Sequence, residues 1–126
     1  MKRLLFALTI FALPVVTSAL LPMSTYAATT ASDLGDLLAF KAIATETLAL
    51  VNRGDLAGAS KSITRFETAW DAAHTRLRPL NAVEWGRIDD AADAAIASLR
   101  AKKPITVEAK TTVTALIEAL QNPTVK

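Results

Sequence analysis

Apolar side chains recur with helical spacing in four segments of this 126-residue chain, and in three of them they follow alternating three- and four-residue intervals. Seven residues of one segment follow a strict 3-4-3-4-3-4 spacing: Leu56, Ala59, Ile63, Phe66, Trp70, Ala73 and Leu77. Because an α-helix turns once every 3.6 residues, this spacing places all seven side chains along one face. The pattern predicts a helix that buries one long apolar seam against neighbouring helices.

Polar caps, glycine and proline mark the predicted helix ends. The first predicted helix covers about 33–53, with Ser32 as its N-cap and Gly54 directly after it. Asp33 and Asp36 would then lie in its first turn, where the helix dipole favours negative charge. These residues predict both ends of the first helix.

The other three helices have similar boundaries. The second covers about 56–77 and is capped by Asp55. The third begins after Asn81, and the fourth covers about 107–121. Asn81 with Glu84 three residues later has the form of a capping box. No stretch of useful length shows the apolar–polar alternation of a β-strand.

Short connections between these helices predict antiparallel neighbours. We therefore expect an all-α fold, an antiparallel up-down four-helix bundle in one domain over residues 33–122, preceded by a signal peptide. The first two helices also have the form of a tetratricopeptide-type hairpin, which leaves a solenoid as the lesser alternative, since no fixed repeat period follows. The face with Phe40, Ile43 and Leu50 fits either a core or a dimer surface.

Residues 1–27 have the three zones of a secretory signal peptide. A basic start is followed by an apolar run over 4–13 and by small residues before a cut after Ala27, with a second cut site after Ala19. Retention as an inner-membrane anchor is the alternative, because 4–21 approaches the length that spans a bilayer. We expect a periplasmic protein with a cleaved signal peptide and a disordered leader over 28–32.

Charge and sulfur content exclude several classes of function. Loss of Lys2 and Arg3 with the signal peptide leaves twelve basic and twelve acidic residues. A neutral chain lacks the broad positive field that attracts nucleic acid, so no nucleic-acid partner is expected. The chain has no cysteine, and Met1 and Met23 both precede the expected cut. The mature chain therefore lacks sulfur ligands for copper or haem, and we expect no cofactor.

His74 is the only histidine and attracts attention as a metal ligand. Glu67, Asp71 and His74 can share one stripe of the second helix, and such donors can bind zinc or another divalent ion. The alternative is an ordinary solvated helix face. A second acidic group lies in the third helix and consists of Asp89, Asp90 and Asp93. It could bind a cation or a basic partner, or it could simply be the exposed early part of that helix, where the dipole favours acids.

No arrangement of residues predicts catalysis. The serines have no base arranged beside them, and the glycines form no phosphate-binding loop. We therefore expect the chain not to be an enzyme. Trp70 and Trp85 occupy seam positions, which predicts that both are core residues and that each indole N–H has a partner.

Short stretches between residues 50 and 99 carry a resemblance: Asn52 to Ala59, Phe66 to Asp71, Leu77-Arg78-Pro79, Glu84-Trp85 and Ile88-Asp89. They resemble a group of small exported proteobacterial helical proteins, mostly uncharacterised, of which some carry a histidine kinase label. The resemblance implies a helical fold and export, and it carries over no functional residue. Four helices in about 99 mature residues leave no room for the nucleotide-binding domain of a kinase.

The expected function is that of a binding protein. We expect a non-catalytic interaction or regulatory module that acts on an envelope or membrane protein, with a homodimer left open. The alternative is a periplasmic protein that binds a small ligand or a divalent metal.

Overall fold

The computed structural model describes residues 33–121, which form four α-helices and no strand. The helices are α1 Leu38–Asn52, α2 Leu56–Leu77, α3 Ala82–Arg100 and α4 Thr106–Gln121. The last three match the predicted segments, with α4 beginning one residue early. The predicted signal peptide, the leader, the Ser32 cap and the expected domain end at residue 122 lie outside the described residues.

Each helix packs mainly against two others, so that the four helices close into a ring. The packed pairs are α1 with α2, α2 with α3, α3 with α4 and α4 with α1. In a solenoid each repeat contacts only its neighbours along the chain, so the first and last helices would not meet. The predicted up-down four-helix bundle is confirmed, and the solenoid alternative is wrong.

The start of α1 differs from the prediction, because the helix begins at Leu38 and not near residue 33. Gly35 has a φ angle of +81°, in the left-handed region that a right-handed helix cannot contain. The backbone before α1 therefore turns, and this turn allows Leu34 and Leu37 to be buried in the core.

The two acids predicted for the first turn of α1 lie before the helix. A carboxylate oxygen of Asp36 accepts a hydrogen bond from the backbone N–H of Leu38 at 2.8 Å. A carboxylate oxygen of Asp33 accepts one from Nδ2 of Asn81 at 3.1 Å. The segment before α1 is thus held against the linker that joins α2 to α3.

The turn between α1 and α2 is built as predicted. Gly54 has a φ angle of +77°, and its N–H donates to the carbonyl of Val51. The N–H of Asp55 donates to the carbonyl of Leu50, which completes a Schellman motif. The Asp55 carboxylate then accepts the N–H of Gly58 at 2.8 Å and caps α2. One tight turn thus satisfies both helix ends and makes α1 and α2 antiparallel.

The core is formed by one face of each helix. All seven seam residues of α2 contribute, six of them buried and Leu56 partly buried. On α1, Phe40 is buried, while Ile43 and Leu50 are partly buried and pack against the core. This face therefore packs against the core of one chain.

The antiparallel arrangement gives the bundle two distinct ends. At the end that we call proximal, α1 and α3 begin and α2 and α4 end; at the distal end, the reverse holds. None of the four described helices is long and apolar enough to cross a bilayer.

Replacing Gly54 with alanine is expected to destabilise the bundle by about 1–2 kcal/mol, because a Cβ is disfavoured in the left-handed conformation even where space is free. Gly86, which lies inside α3 with no atom near its hypothetical Cβ, is the matched control. Gly86→Ala is expected to stabilise by roughly 0.5–1 kcal/mol. Urea denaturation of both variants measures the two values, and shifts of the same sign would contradict this account.

Candidate functional site

A column of rings runs from the centre of the bundle toward its proximal end. Phe40 packs edge-on against Phe66 and Trp70, with ring centroids 5.8 and 5.1 Å away. Trp70 stacks on Trp85 at 5.9 Å, and Trp85 stacks on His74 at 4.7 Å. The only histidine is therefore a packing partner of a tryptophan at the outer end of this column.

The proximal end of the column combines cationic and aromatic groups. The guanidinium carbon of Arg78 lies 5.7 Å from the ring centroid of Trp85, within reach of a cation–π interaction. Arg78 follows His74 by one helical turn, so both side chains pack on the same indole. Nε1 of Trp85 is buried and has no hydrogen-bond partner within the described chain. The expectation of a partner is therefore wrong for Trp85.

Trp70 has the expected partner, since its Nε1 donates to a carboxylate oxygen of Asp89 at 3.0 Å. Burial raises the pKa of the Asp89 carboxyl above its ordinary value of 3.8. The hydrogen bond from Trp70 opposes this rise, while the nearby charges of Asp93, Asp71 and Asp90 add to it. Asp89 is thus a packing residue between α2 and α3, held in an acidic environment.

The acidic group on α3 divides into two kinds of residue. Asp90 and Asp93 are exposed, as a solvated helix face requires. Asp89 is half-buried and engaged by Trp70, so the prediction of an exposed helix face is wrong for this residue. The reason is that α2 brings an indole N–H to the one acid whose position faces the neighbouring helix.

The three residues considered as metal ligands have separate surroundings. Glu67 accepts a hydrogen bond from Arg100 of α3, His74 stacks on Trp85, and Asp71 is exposed. Between residues 33 and 121, no group of three or more His, Cys, Asp or Glu side chains could hold a metal ion. The fold therefore does not gather Glu67, Asp71 and His74 into one ligand set.

An ion pair between a buried carboxylate and a partly buried arginine is the feature that the sequence analysis missed. Glu84 is only 1% exposed, and its Oε1 accepts a hydrogen bond from Nη2 of Arg87 at 2.6 Å. The same Nη2 donates to the carbonyl of Ala119 at 2.6 Å, in the last turn of α4. Arg87 thus joins the first turn of α3 to the last turn of α4, where carbonyl groups lack helical partners.

The sequence contains a signal for this pair. Glu84 lies four residues before Ile88 and eight before Ala92, on the apolar stripe of α3. The predicted capping box is confirmed in one half, because Oδ1 of Asn81 accepts the N–H of Glu84 at 3.0 Å. An acid in register with an apolar seam, followed by an arginine three residues later, indicates a buried pair.

Two hydroxyl pairs join helices in the interior. Thr47 of α1 donates to Ser62 of α2 at 2.7 Å. Ser98 of α3 and Thr112 of α4 are likewise 2.7 Å apart. Each pair satisfies buried hydroxyl groups across a helix interface, which such groups require when they leave water. These serines are therefore positioned for packing.

Two surfaces expose large apolar side chains. The outward face of α4 begins near Ile105 and Val107, which are 59% and 74% exposed. Along it lies a shallow depression of about 610 Å³, lined by Val107, Lys110, Thr111, Thr114, Ala115 and Glu118. The proximal end exposes three aliphatic side chains by 57–75%: Leu38, Leu80 and Val83.

No protein-family model, curated protein or solved structure matches this chain. Function must therefore be inferred from the geometry of the molecule. The polar groups of the interior are largely used in packing, which directs attention to the two apolar surfaces.

Arg87→Met is expected to destabilise the bundle by about 3 kcal/mol, because it deprives the buried Glu84 carboxylate of its cationic partner. Arg100→Met is the control, since it removes an ion pair with Glu67 in which the two side chains are 41% and 34% exposed and neither is buried. Such surface pairs contribute about 1 kcal/mol or less. Thermal or urea unfolding compares the two variants, and equal losses would contradict the importance of the buried pair.

Asp89→Asn is expected to stabilise the fold at pH 7, because it keeps an oxygen for Trp70 and removes a charge that burial disfavours. Because the pKa of Asp89 is raised in the folded state, its contribution to the free energy of unfolding is most favourable at low pH. This contribution is lost as the pH rises through the folded-state pKa. The advantage of Asp89→Asn should therefore shrink as the pH approaches 4.

Asp89→Leu supplies the matched control, since it is also neutral but offers no acceptor to the Trp70 N–H. It should be about 1–3 kcal/mol less stable than Asp89→Asn at any pH. Urea denaturation at pH 7 and pH 4 measures both differences. An advantage of Asp89→Asn that grew toward low pH would refute the stated direction of the pKa shift.

Proposed function

We propose that this chain is an exported, non-catalytic helical module that docks on an envelope protein through the outward face of α4. The observation that carries this proposal is the depression along that face, headed by the exposed Val107, with the exposed Ile105 two residues before it in the chain. A large apolar side chain that is exposed to water beside a surface depression, as Val107 is here, favours a binding role.

The shape of this face favours a helical partner. Thr111, Thr114 and Ala115 are short side chains, which allow another backbone to approach closely. Lys110 and Glu118 lie beside them with opposite charges, as expected for a polar rim around an apolar centre. An amphipathic helix that presents aliphatic residues at helical spacing is the partner that fits such a surface.

The interior and the sequence support the rest of the proposal. His74, Ser62 and Ser98 all take part in packing contacts, which favours a binding role over catalysis. The three-zone pattern of residues 1–27 supports export to the periplasm with cleavage after Ala27. A face of one short helix buries a modest area, so the proposed complex is transient.

Site-specific photo-crosslinking in the periplasm of a Gram-negative host tests the proposal. A photoreactive residue at Thr111 is expected to give one dominant protein adduct, because it lies in the depression. The same residue at Ala94, which is exposed on α3, is the control and should give no such adduct. The mass of the crosslinked chain also reports whether residues 1–27 have been removed.

Purified components then decide whether the adduct reflects specific binding. Ala115→Arg fills the depression with a long charged side chain and should weaken binding of the identified partner at least tenfold. Ala94→Arg adds the same charge elsewhere and should leave the affinity unchanged. Equal crosslinking from both positions, or equal affinity of both arginine variants, would overturn the proposal.

A further inference from the structure

The proximal end exposes aliphatic side chains from three separate elements. Leu38 opens α1, Leu80 lies in the linker between α2 and α3, and Val83 is in the first turn of α3. They are 70%, 57% and 75% exposed. The antiparallel topology places these three elements at the same end of the bundle, away from the distal start of the α4 face.

The charged groups around these side chains are of both signs. Asp33 and Asp36 are exposed and each accepts one hydrogen bond from a group at this end. Arg76 and Arg78 lie exposed in the last turn of α2 and directly after it. The proximal end thus presents aliphatic groups together with two exposed guanidinium groups, which can donate hydrogen bonds to lipid phosphates, and with the two exposed carboxylates of Asp33 and Asp36.

The covalent path of the chain leads to this same end. The described chain begins at Asp33, whose carboxylate accepts a hydrogen bond from Asn81 in the α2–α3 linker. The 18-residue apolar stretch over 4–21 is separated from it in sequence by residues 22–32. Eleven residues can reach at most about 40 Å. While the apolar stretch is attached and inserted in a bilayer, Asp33 at the proximal end stays within about 40 Å of the lipid surface.

We infer that, in the chain that still carries residues 1–27, the proximal end is a lipid-contacting surface, at which Leu38, Leu80 and Val83 enter the headgroup region of the membrane. The inference concerns the chain before the proposed cut after Ala27, which would end this contact. A fluid headgroup layer adapts to side chains spread over three elements, whereas a specific protein interface requires a closely packed core. Arg76 and Arg78 pair with lipid phosphates beside them. This surface is distinct from the α4 face, so the inference does not depend on the proposed protein partner.

The contact orients the bundle and does not anchor it. A whole myristoyl chain gives only marginal membrane binding, with an association constant of about 10⁴ M⁻¹. Three partly exposed aliphatic side chains bury fewer apolar groups than that chain. The covalent connection to residues 4–21 therefore supplies the proximity that this surface needs.

The full chain, reconstituted into vesicles of phosphatidylethanolamine and phosphatidylglycerol, provides the test. The chain has no cysteine, so Val83→Cys can carry a single environment-sensitive dye. Ala97→Cys is the control, because it is exposed on the same helix about 21 Å further along its axis. Lipids with a quencher near the headgroup should quench the dye at position 83 at least threefold more than at position 97.

A second variant separates lipid contact from mere proximity. Replacing both Leu38 and Leu80 with serine should reduce quenching at position 83 by at least half, with an unchanged far-UV circular dichroism spectrum. Equal quenching at positions 83 and 97, or quenching unaffected by the double serine variant, would overturn the inference. A dye shift that needs no vesicles and grows with protein concentration would assign this end to a second copy of the chain instead.

Discussion

Trp70 fixes the relation among three of the four helices. Its ring contacts Phe40 of α1 and stacks on Trp85 of α3, while its Nε1 donates to Asp89 of α3. An apolar ring alone could slide along its neighbours, but an indole with a directed N–H specifies one rotation and one register. This specificity lowers stability at neutral pH, because partial burial of the charged Asp89 carboxylate is unfavourable even with a donor beside it.

Arg87 closes the ring of helices by a comparable contact at the proximal end. It neutralises the buried Glu84 carboxylate and binds a carbonyl in the last turn of α4. A buried pair contributes little net stability compared with apolar residues, but its geometry disfavours arrangements that leave either charge without a partner. The polar contacts of Trp70 and Arg87 therefore select one arrangement among those that the apolar seams alone would permit.

The helices α2 and α3 could be predicted from sequence because spacing and caps agree there. The seam of α2 ends where Pro79 follows, and Asp55 and Asn81 cap as their residue types suggest. The start of α1 could not be predicted, because local propensity gave no sign that the chain turns at Gly35 to bury Leu34. That burial depends on the other helices, so tertiary packing decides a boundary that capping residues alone misplace.

The candidate sites show the same limit more sharply. His74 is notable in the sequence because it is unique, yet the fold uses it as a flat ring against Trp85. Acidic residues on a helix suggest solvent exposure, and only their register against the seam reveals that Glu84 and Asp89 face neighbouring helices. The position of a residue relative to the apolar stripe of its helix was thus a better guide to its burial than its residue type. The exposed apolar surfaces depend on which elements share an end, and no single stretch of sequence contains that information.

Before the proposed cut after Ala27, the two proposed surfaces define one consistent orientation of the molecule. With the proximal end on the membrane, the distal end points away from it, and α4 extends for about 24 Å between the two levels. Ile105 and Val107 then lie at the level furthest from the lipid, where a partner in the periplasm can reach them. The aliphatic side chains of the proximal end belong to α1, the α2–α3 linker and α3, whereas the depression belongs to α4. A module of this kind would hold a partner helix at a height above the membrane that the length of α4 determines.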